Sequence, residues 1–211
     1  MWIPQLPQAL LWDHNAHYHR WLARSLPARV GTVLDVGCGT GGLARLLADR
    51  ADQVDAVDRS ATMIERARTD APANVRWLIG DILDDTLVLE PRGYDLVTAV
   101  SSLHHMPLHP ALRRLSGLVR PGGLLAVVGL YRAATIGDRA IEAAALPANA
   151  AMGVLLKAGG RGGKQDGAMP VLDPGETFAE IRTAAREVVP GAVVRRKLFW
   201  RYTLLWRAPS A

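Results

Sequence analysis

A single cysteine, Cys38, occurs in the 211 residues, which excludes an internal disulfide and any zinc site built from four thiolates. No run approaches the ~20 uninterrupted apolar residues that cross a bilayer. The first residues lack a basic segment followed by an apolar stretch and a small-residue cleavage site, so a cytoplasmic protein with no membrane partner is expected. Low-complexity tracts are missing too: the 20 glycines and 13 prolines are scattered over loops. With 49% hydrophobic and 21% charged residues the composition is that of a soluble globular chain. The length is too short for two ordinary domains and allows one α/β domain with a substantial core.

Residues 1–12 form an apolar arm (Trp2, Leu10, Leu11, Trp12) broken by Pro4 and Pro7, expected to fold over the domain. From Asp13 the chain reads as a helix capped by Asp13 or Asn15, with Trp21, Leu22 and Leu26 as apolar positions and Pro27 as its stop. Short β runs then alternate with helical stretches. Strands are expected over 32–36, 53–57, 75–79, 94–100 and 124–128, with helices over 43–51, 61–69 and 109–119, the last ending at Pro121-Gly122-Gly123. Repeated βα units predict a parallel sheet with helices on both faces. The region 133–190 departs from this rhythm. Residues 136–156 are Ala-rich, helical in tendency and interrupted at Pro147; a glycine-rich loop follows at 159–164; Asp173-Pro174 opens a helix over 176–188. Two final strands, 193–199 and 202–206, close as a tight hairpin.

The most informative segment is a glycine turn. In Leu34-Asp35-Val36-Gly37-Cys38-Gly39-Thr40-Gly41-Gly42 a short apolar strand ends in small residues and a Leu- and Ala-rich helix follows. Such a strand-turn-helix sets bare backbone beside a nucleotide-like ligand. Gly37, Gly39 and Gly42 satisfy G-x-G-x-x-G, but a dinucleotide-binding dehydrogenase satisfies it equally. Asp35 discriminates: a carboxylate two residues before the first glycine would repel a pyrophosphate and favours a ligand carrying a sulfonium and an ammonium. Cys38, inside the turn, reads as a small packing residue rather than a reactive thiol.

On these residues the sequence resembles the class I S-adenosylmethionine-dependent methyltransferases, of the small-molecule methyltransferase-domain type. Their first motif, an acidic residue followed by G-x-G-x-G, is met by Asp35-Val36-Gly37-Cys38-Gly39-Thr40-Gly41. The resemblance covers approximately residues 30–207. It implies a Rossmann-like, doubly wound α/β fold whose mostly parallel seven-stranded sheet ends in an antiparallel hairpin. It also implies S-adenosyl-L-methionine as cofactor and S-adenosyl-L-homocysteine as product, with Asp35, Gly37, Cys38 and Gly39 around the methionine moiety.

Asp58 closes the second strand 21 residues beyond Gly37, where a carboxylate can accept both ribose hydroxyls; an ordinary cap for the next helix is the plain alternative. Arg59 and Met63 join the cofactor set, Met63 either against the adenine or in the core. By resemblance, Asp81 would bond the adenine amine and the Ile82 amide a ring nitrogen, with a loop cap as the alternative for Asp81.

The segment from Ser101 to Met106 lies beyond the fourth strand and faces the methyl-donor site, with Ser101 in the cofactor set. His104 and His105 are the candidate catalytic pair: either imidazole could act as general base, or one could orient the loop. The Asp/Asn-Pro-Pro-Tyr segment of amino methyltransferases acting on adenine or glutamine is absent, Ser101-Ser102-Leu103-His104 standing in its place. On the leading helix, His14, Tyr18 and His19 are candidate acceptor contacts. His14 and His17 share a face, but no third ligand accompanies them and no metal site is expected.

The net charge of +5 includes a basic C-terminal quarter, with Arg182, Arg186, Arg195, Arg196, Lys197, Arg201 and Arg207. These alternate with apolar residues, which puts them on the solvated face of a sheet edge; without an aromatic array a nucleic-acid surface is disfavoured. The sequence is thus read as one methyltransferase domain, 1–211, with 1–29 as arm and helix over the cofactor and 133–175 as a substrate lid. The acceptor is a small, partly hydrophobic molecule methylated on O, N or C. An RNA methyltransferase, an NAD-dependent oxidoreductase and a non-catalytic S-adenosylmethionine-binding protein remain open at this point.

Overall fold

The computed structural model describes residues 14–138, 173–197 and 200–210, with single positions between 141 and 154. The N-terminal arm with Asp13, most of the Ala-rich stretch and lid, and the 159–164 loop lie outside the described residues.

Alternating apolar runs generate the architecture. In chain order the elements are α1 (His14–Ser25), β1 (Val30–Val36), α2 (Gly42–Ala48), β2 (Ala51–Asp58), α3 (Ala61–Ala67) and β3 (Val75–Ile79). There follow β4 (Tyr94–Val100), a 3-10 turn at Leu103–His105, α4 (Leu108–Leu118), β5 (Val119–Leu130), α5 (Phe178–Val188), β6 (Val193–Lys197) and β7 (Arg201–Arg207). One seven-stranded sheet has the order β3-β2-β1-β4-β5-β7-β6. The first five strands pair in parallel, and β7 runs antiparallel to both β5 and β6. The doubly wound reading with a C-terminal antiparallel hairpin is therefore met.

Period-2 alternation sends each strand's residues to two separate cores. On one face Leu34, Val36 and Val97 pack with Leu112 and Leu115 of α4 and Ile181 of α5. On the other, Val33, Val54 and Ala126 pack with Leu22 of α1, Leu43 of α2 and Ile64 of α3. Burying both faces is what a parallel sheet requires, and it leaves ligands the carboxyl edge of the strands.

Three boundaries differ from expectation for local reasons. Pro121-Gly122-Gly123 does not end a helix: α4 stops at Leu118, and the triplet sits inside β5, where the β4 register jumps from Tyr94↔Val119 to Leu96↔Leu124. A proline and a Gly122 at φ 73° are what such a bulge accommodates. Next, α5 is capped by Thr177 in a reciprocal box with Glu180, not by Asp173. Finally, Asn15 does not cap α1; it lies in the helix's first turn with its side chain turned to the sheet edge.

Candidate functional site

A cleft opens at the carboxyl ends of β1, β2 and β4, the edge that the strand order reserves for ligands. Its floor is the glycine turn. Gly37, Gly39 and Gly41 take φ of 69°, 54° and 82°, which only glycine adopts without cost. Gly37 has a second constraint, since a Cβ there would lie 2.3 Å from Ser102 Cβ; Ser102 Oγ donates to Val36 O at 2.8 Å and locks the β4 loop onto the turn.

The turn's amides are engaged internally. Gly37 and Cys38 donate to Val57 O, at 2.8 and 3.1 Å, and Gly41 donates to Cys38 O at 2.9 Å. Gly39 donates to Asp58 Oδ2 at 2.9 Å, while Asp58 Oδ1 accepts from Ser60 N at 2.9 Å. These donors are therefore not presented as a nest for a pyrophosphate. A carboxylate stands there instead, held by two backbone amides and retaining lone pairs for hydroxyl donors.

One wall is apolar, from Val57, Met63 and Ile82. Ser60 starts α3 by accepting from Met63 N at 3.3 Å, which sets Met63 toward the cleft. Gly80 and Asp81 form the adjoining rim, with Asp81 Oδ1 capping Leu83 N at 2.9 Å. The opposite side carries Asn15 and His19 of α1, then Ser101, His105 and Met106 beyond β4. Arg59 also lines the cleft.

The structure thus gathers His19, Gly37, Cys38, Gly39, Asp58, Arg59, Met63, Asp81, Ile82, Ser101 and His105 in one place. It leaves Asp35, His104, His14 and Tyr18 out of the lining. Asp35 lies under the turn rather than in the lining. It is 2% exposed beneath the turn, its Oδ1 accepting from Thr98 Oγ1 at 2.8 Å and its Oδ2 without a hydrogen-bond partner. Burial raises its pKa to about 7, with Thr98 opposing and the Asp58 charge adding to the rise. The carboxylate that accepts from the turn, at the Gly39 amide, is Asp58.

His104 and His105 stack with ring centroids 4.1 Å apart. Burial, then His105 and Arg201, lower the His104 pKa to about 4, and its Nδ1 is buried without a partner. His105 is lowered by burial and Arg59, with Asp58 opposing. Tyr18 is 4% exposed, and burial pushes its pKa up to about 12; it stacks edge-on against His17 and Trp21. His14 meets Trp200 edge-on. Burial raises the Cys38 thiol's pKa, with Asp35 and Asp58 adding to it, so the thiol stays protonated. Among the described residues no group of three or more metal-binding side chains occurs.

Two site residues were not legible. Asn15 read as a cap, and Arg201 as a solvated edge residue. Arg201 is in fact 6% exposed and bonds Ser101 and Asn15, both at 2.9 Å. The other basic residues of that quarter do face solvent, Lys197 partly so and packed on Trp21. The one signal for Arg201 was position: β7 runs backwards, so its first residue arrives at the ligand edge.

Sheet order, glycine turn and a carboxylate held by the Gly39 and Ser60 amides define a Rossmann-like protein built for a nucleoside-bearing ligand without a pyrophosphate. Comparison narrows the class. Residues 33–123 match the family described as a methyltransferase domain. The chain is 39% identical over 210 residues to an uncharacterized methyltransferase of Mycobacterium bovis, covering 94% of this chain and 98% of that one. It is 32% identical over 185 residues to the trans-aconitate 2-methyltransferase of Deinococcus radiodurans, with coverage of 82% and 68%. Among solved structures, a chain in the complex of the Haloferax volcanii Trm112 methyltransferase activator with a methyltransferase has the same fold, at TM-score 0.66, 18% identity and coverage of 93% and 91%. The chain belongs to the class I S-adenosylmethionine-dependent methyltransferases, and the oxidoreductase alternative falls.

The cleft fits that cofactor: a carboxylate with spare lone pairs, an apolar wall, and a turn that no side chain larger than hydrogen can occupy at Gly37.

Proposed function

We propose that the protein transfers the methyl group of S-adenosylmethionine to a small, partly hydrophobic acceptor. In this reading Asp58 takes the ribose hydroxyls, Met63 and Ile82 flank the adenine, Asp81 bonds its amine, and the Gly37–Gly39 turn adjoins the methionine moiety. Asp35 supports the turn from below. The bound cofactor supplies an activated methyl group on a sulfonium. What remains for the protein is to align the acceptor, exclude water and, where the acceptor has a proton to lose, receive it.

His105 is the group for that last task. It lines the cleft, and its lowered pKa leaves it neutral at pH 7. His104 lies behind it, and a pKa of about 4 makes it too weak a base to compete. His19 and Met106 border the space the acceptor would enter, whereas His14 and Tyr18 act by placing α1.

The observation that carries the reading is the position of α1: Asn15 and His19 line the cleft on the side of Ser101, so a helix of the chain itself borders the donor site. Relatives agree with it, since two are named for trans-aconitate methylation and for ubiquinone biosynthesis. Calorimetry and a transfer assay test it. S-adenosylhomocysteine is expected to bind and NADH not. Labelled methyl groups should pass to members of a panel of small hydroxy and carboxylic acids and not to RNA. Binding of NADH, or transfer to RNA alone, overturns the proposal.

A further inference from the structure

We propose that Arg201, supplied by the last strand, is a positioning residue for methyl transfer, holding Asn15 of α1 and Ser101 beyond β4 in fixed relation at the donor cleft. The inference rests on reading that cleft as the methyl-donor site.

A closed polar ring carries it. Ser101 Oγ donates to Asn15 Oδ1 at 2.8 Å. One guanidinium nitrogen of Arg201 donates to Ser101 Oγ at 2.9 Å, and the other donates to Asn15 Oδ1 at 2.9 Å. The three residues come from the first helix, the middle of the sheet and the terminal hairpin, so the ring joins segments 86, 100 and 186 positions apart. Two of its members, Asn15 and Ser101, line the cleft and Arg201 does not. Arg201 therefore acts through them.

Each part of the ring has a physical reason to be there. Because β7 is antiparallel, its first residue pairs with Leu130 at the carboxyl end of β5 and with Lys197 of β6, which delivers a side chain from the end of the chain to the ligand edge. Only a planar guanidinium offers two parallel donors at fixed spacing; an ammonium reaches one partner well. The Arg201 guanidinium also lies over the Tyr18 ring, 5.5 Å from its centroid. Tyr18 is one turn after Asn15 on α1, so the cover helix is gripped at two successive turns.

Ser101 shows the constraint from the other side. Its φ is 55°, a left-handed conformation that serine adopts at a cost. Its amide donates to Val128 O at 2.7 Å, and this backbone turn aims Oγ away from the strand and toward Asn15 and Arg201. A strained residue at the edge of a ligand cleft, secured by two hydrogen bonds, is a preorganised contact. Loss of the guanidinium would free Ser101 and α1 together.

The test is titration of S-adenosylhomocysteine into wild type, R201A, N15A, the N15A/R201A double variant and R201K. Loss of charge-assisted bonds predicts a Kd raised about tenfold or more in R201A. R201K should recover part of the loss, because one of the two contacts can re-form. In the double variant, N15A should add little to R201A, since the two act as one unit; a role confined to general stability would give multiplying effects and no recovery by lysine. If R201A does not fold, R201Q keeps the stem, removes the fork and carries the same expectation. Wild-type affinity in the Arg201 variants, or effects that multiply in the double variant, would overturn the inference. Failure of wild type to bind S-adenosylhomocysteine would remove the reading of the cleft itself, a separate result.

Discussion

Asp35 and Asp58 lie near the ends of neighbouring strands and experience opposite surroundings. Asp58 accepts two backbone amides beside solvent, whereas Asp35 is sealed beneath the turn with the Thr98 hydroxyl as its side-chain partner. Burial raises Asp35 from 3.8 to about 7, so the folded state binds its proton more tightly than the unfolded chain. Stability linked to Asp35 is complete below pH 3.8 and declines as pH rises through about 7. Asp35→Asn removes that dependence. Relative to wild type, its melting temperature should improve by roughly 5 °C or more between pH 5 and pH 8. Parallel wild-type and variant melting curves across that interval would mean that Asp35 is ionised in the fold. The histidines divide in the same manner. His105→Ala is expected to lower turnover about tenfold or more for an acceptor that must lose a proton, and the acid limb of the wild-type profile should fall below pH 6.5. His104→Ala should leave that limb in place, since His104 does not reach the cleft. The acidic and glycine residues were legible because the motif sits on one strand-turn-helix. Asp58 at the end of β2 was legible in the same way, whereas the depth of Asp35 beneath the turn was not, since that depends on how α2 and β4 close over β1.

Elements were read well where their signal is local and poorly where it is relational. The strand over 75–79 matches residue for residue, and Tyr94–Val100 does too, because buried apolar runs bounded by turns define themselves. The Pro121-Gly122-Gly123 bulge was misread because its cause lies in the β4 register. Between β2, β3 and β4 runs a polar network that no local pattern announces: Asp55 accepts a bidentate pair from Arg76 at 2.9 and 2.6 Å and a hydroxyl from Tyr94 at 2.7 Å. Burial works against its charge, but the bonds from Arg76 and Tyr94 outweigh that and hold its pKa below 3.8. A depressed carboxyl stabilises above its unfolded pKa and loses the contribution as pH falls through its folded one. Since Arg76 is half exposed, the pair is discounted for solvent, and Asp55→Ala should cost about 2 kcal/mol in urea denaturation at pH 7. The deficit should shrink below pH 4, and a deficit that is unchanged there would assign the effect to packing.

At the scale of the molecule, two cores share one sheet. One is closed by α1, α2 and α3, the other by α4 and α5. The cleft is the place where both end: Ile82 belongs to the second core, Cys38 to the first, and each lines the cleft. A ligand there touches residues that depend on both faces, so its binding should stabilise the domain as one unit rather than a local loop. At a concentration one hundred times its Kd, S-adenosylhomocysteine should add about 2.7 kcal/mol to unfolding. For a chain of this length that corresponds to roughly 5–10 °C in melting temperature. The transition should move intact, with tryptophan fluorescence and far-ultraviolet circular dichroism reporting the same midpoint. Trp77 and Trp21 lie on the first core, while Trp206 packs against the second, so a ligand that shifted only one face would separate the two probes. A split of that kind would show that the cleft is anchored to a single layer, and that the two cores do not couple through the sheet they share.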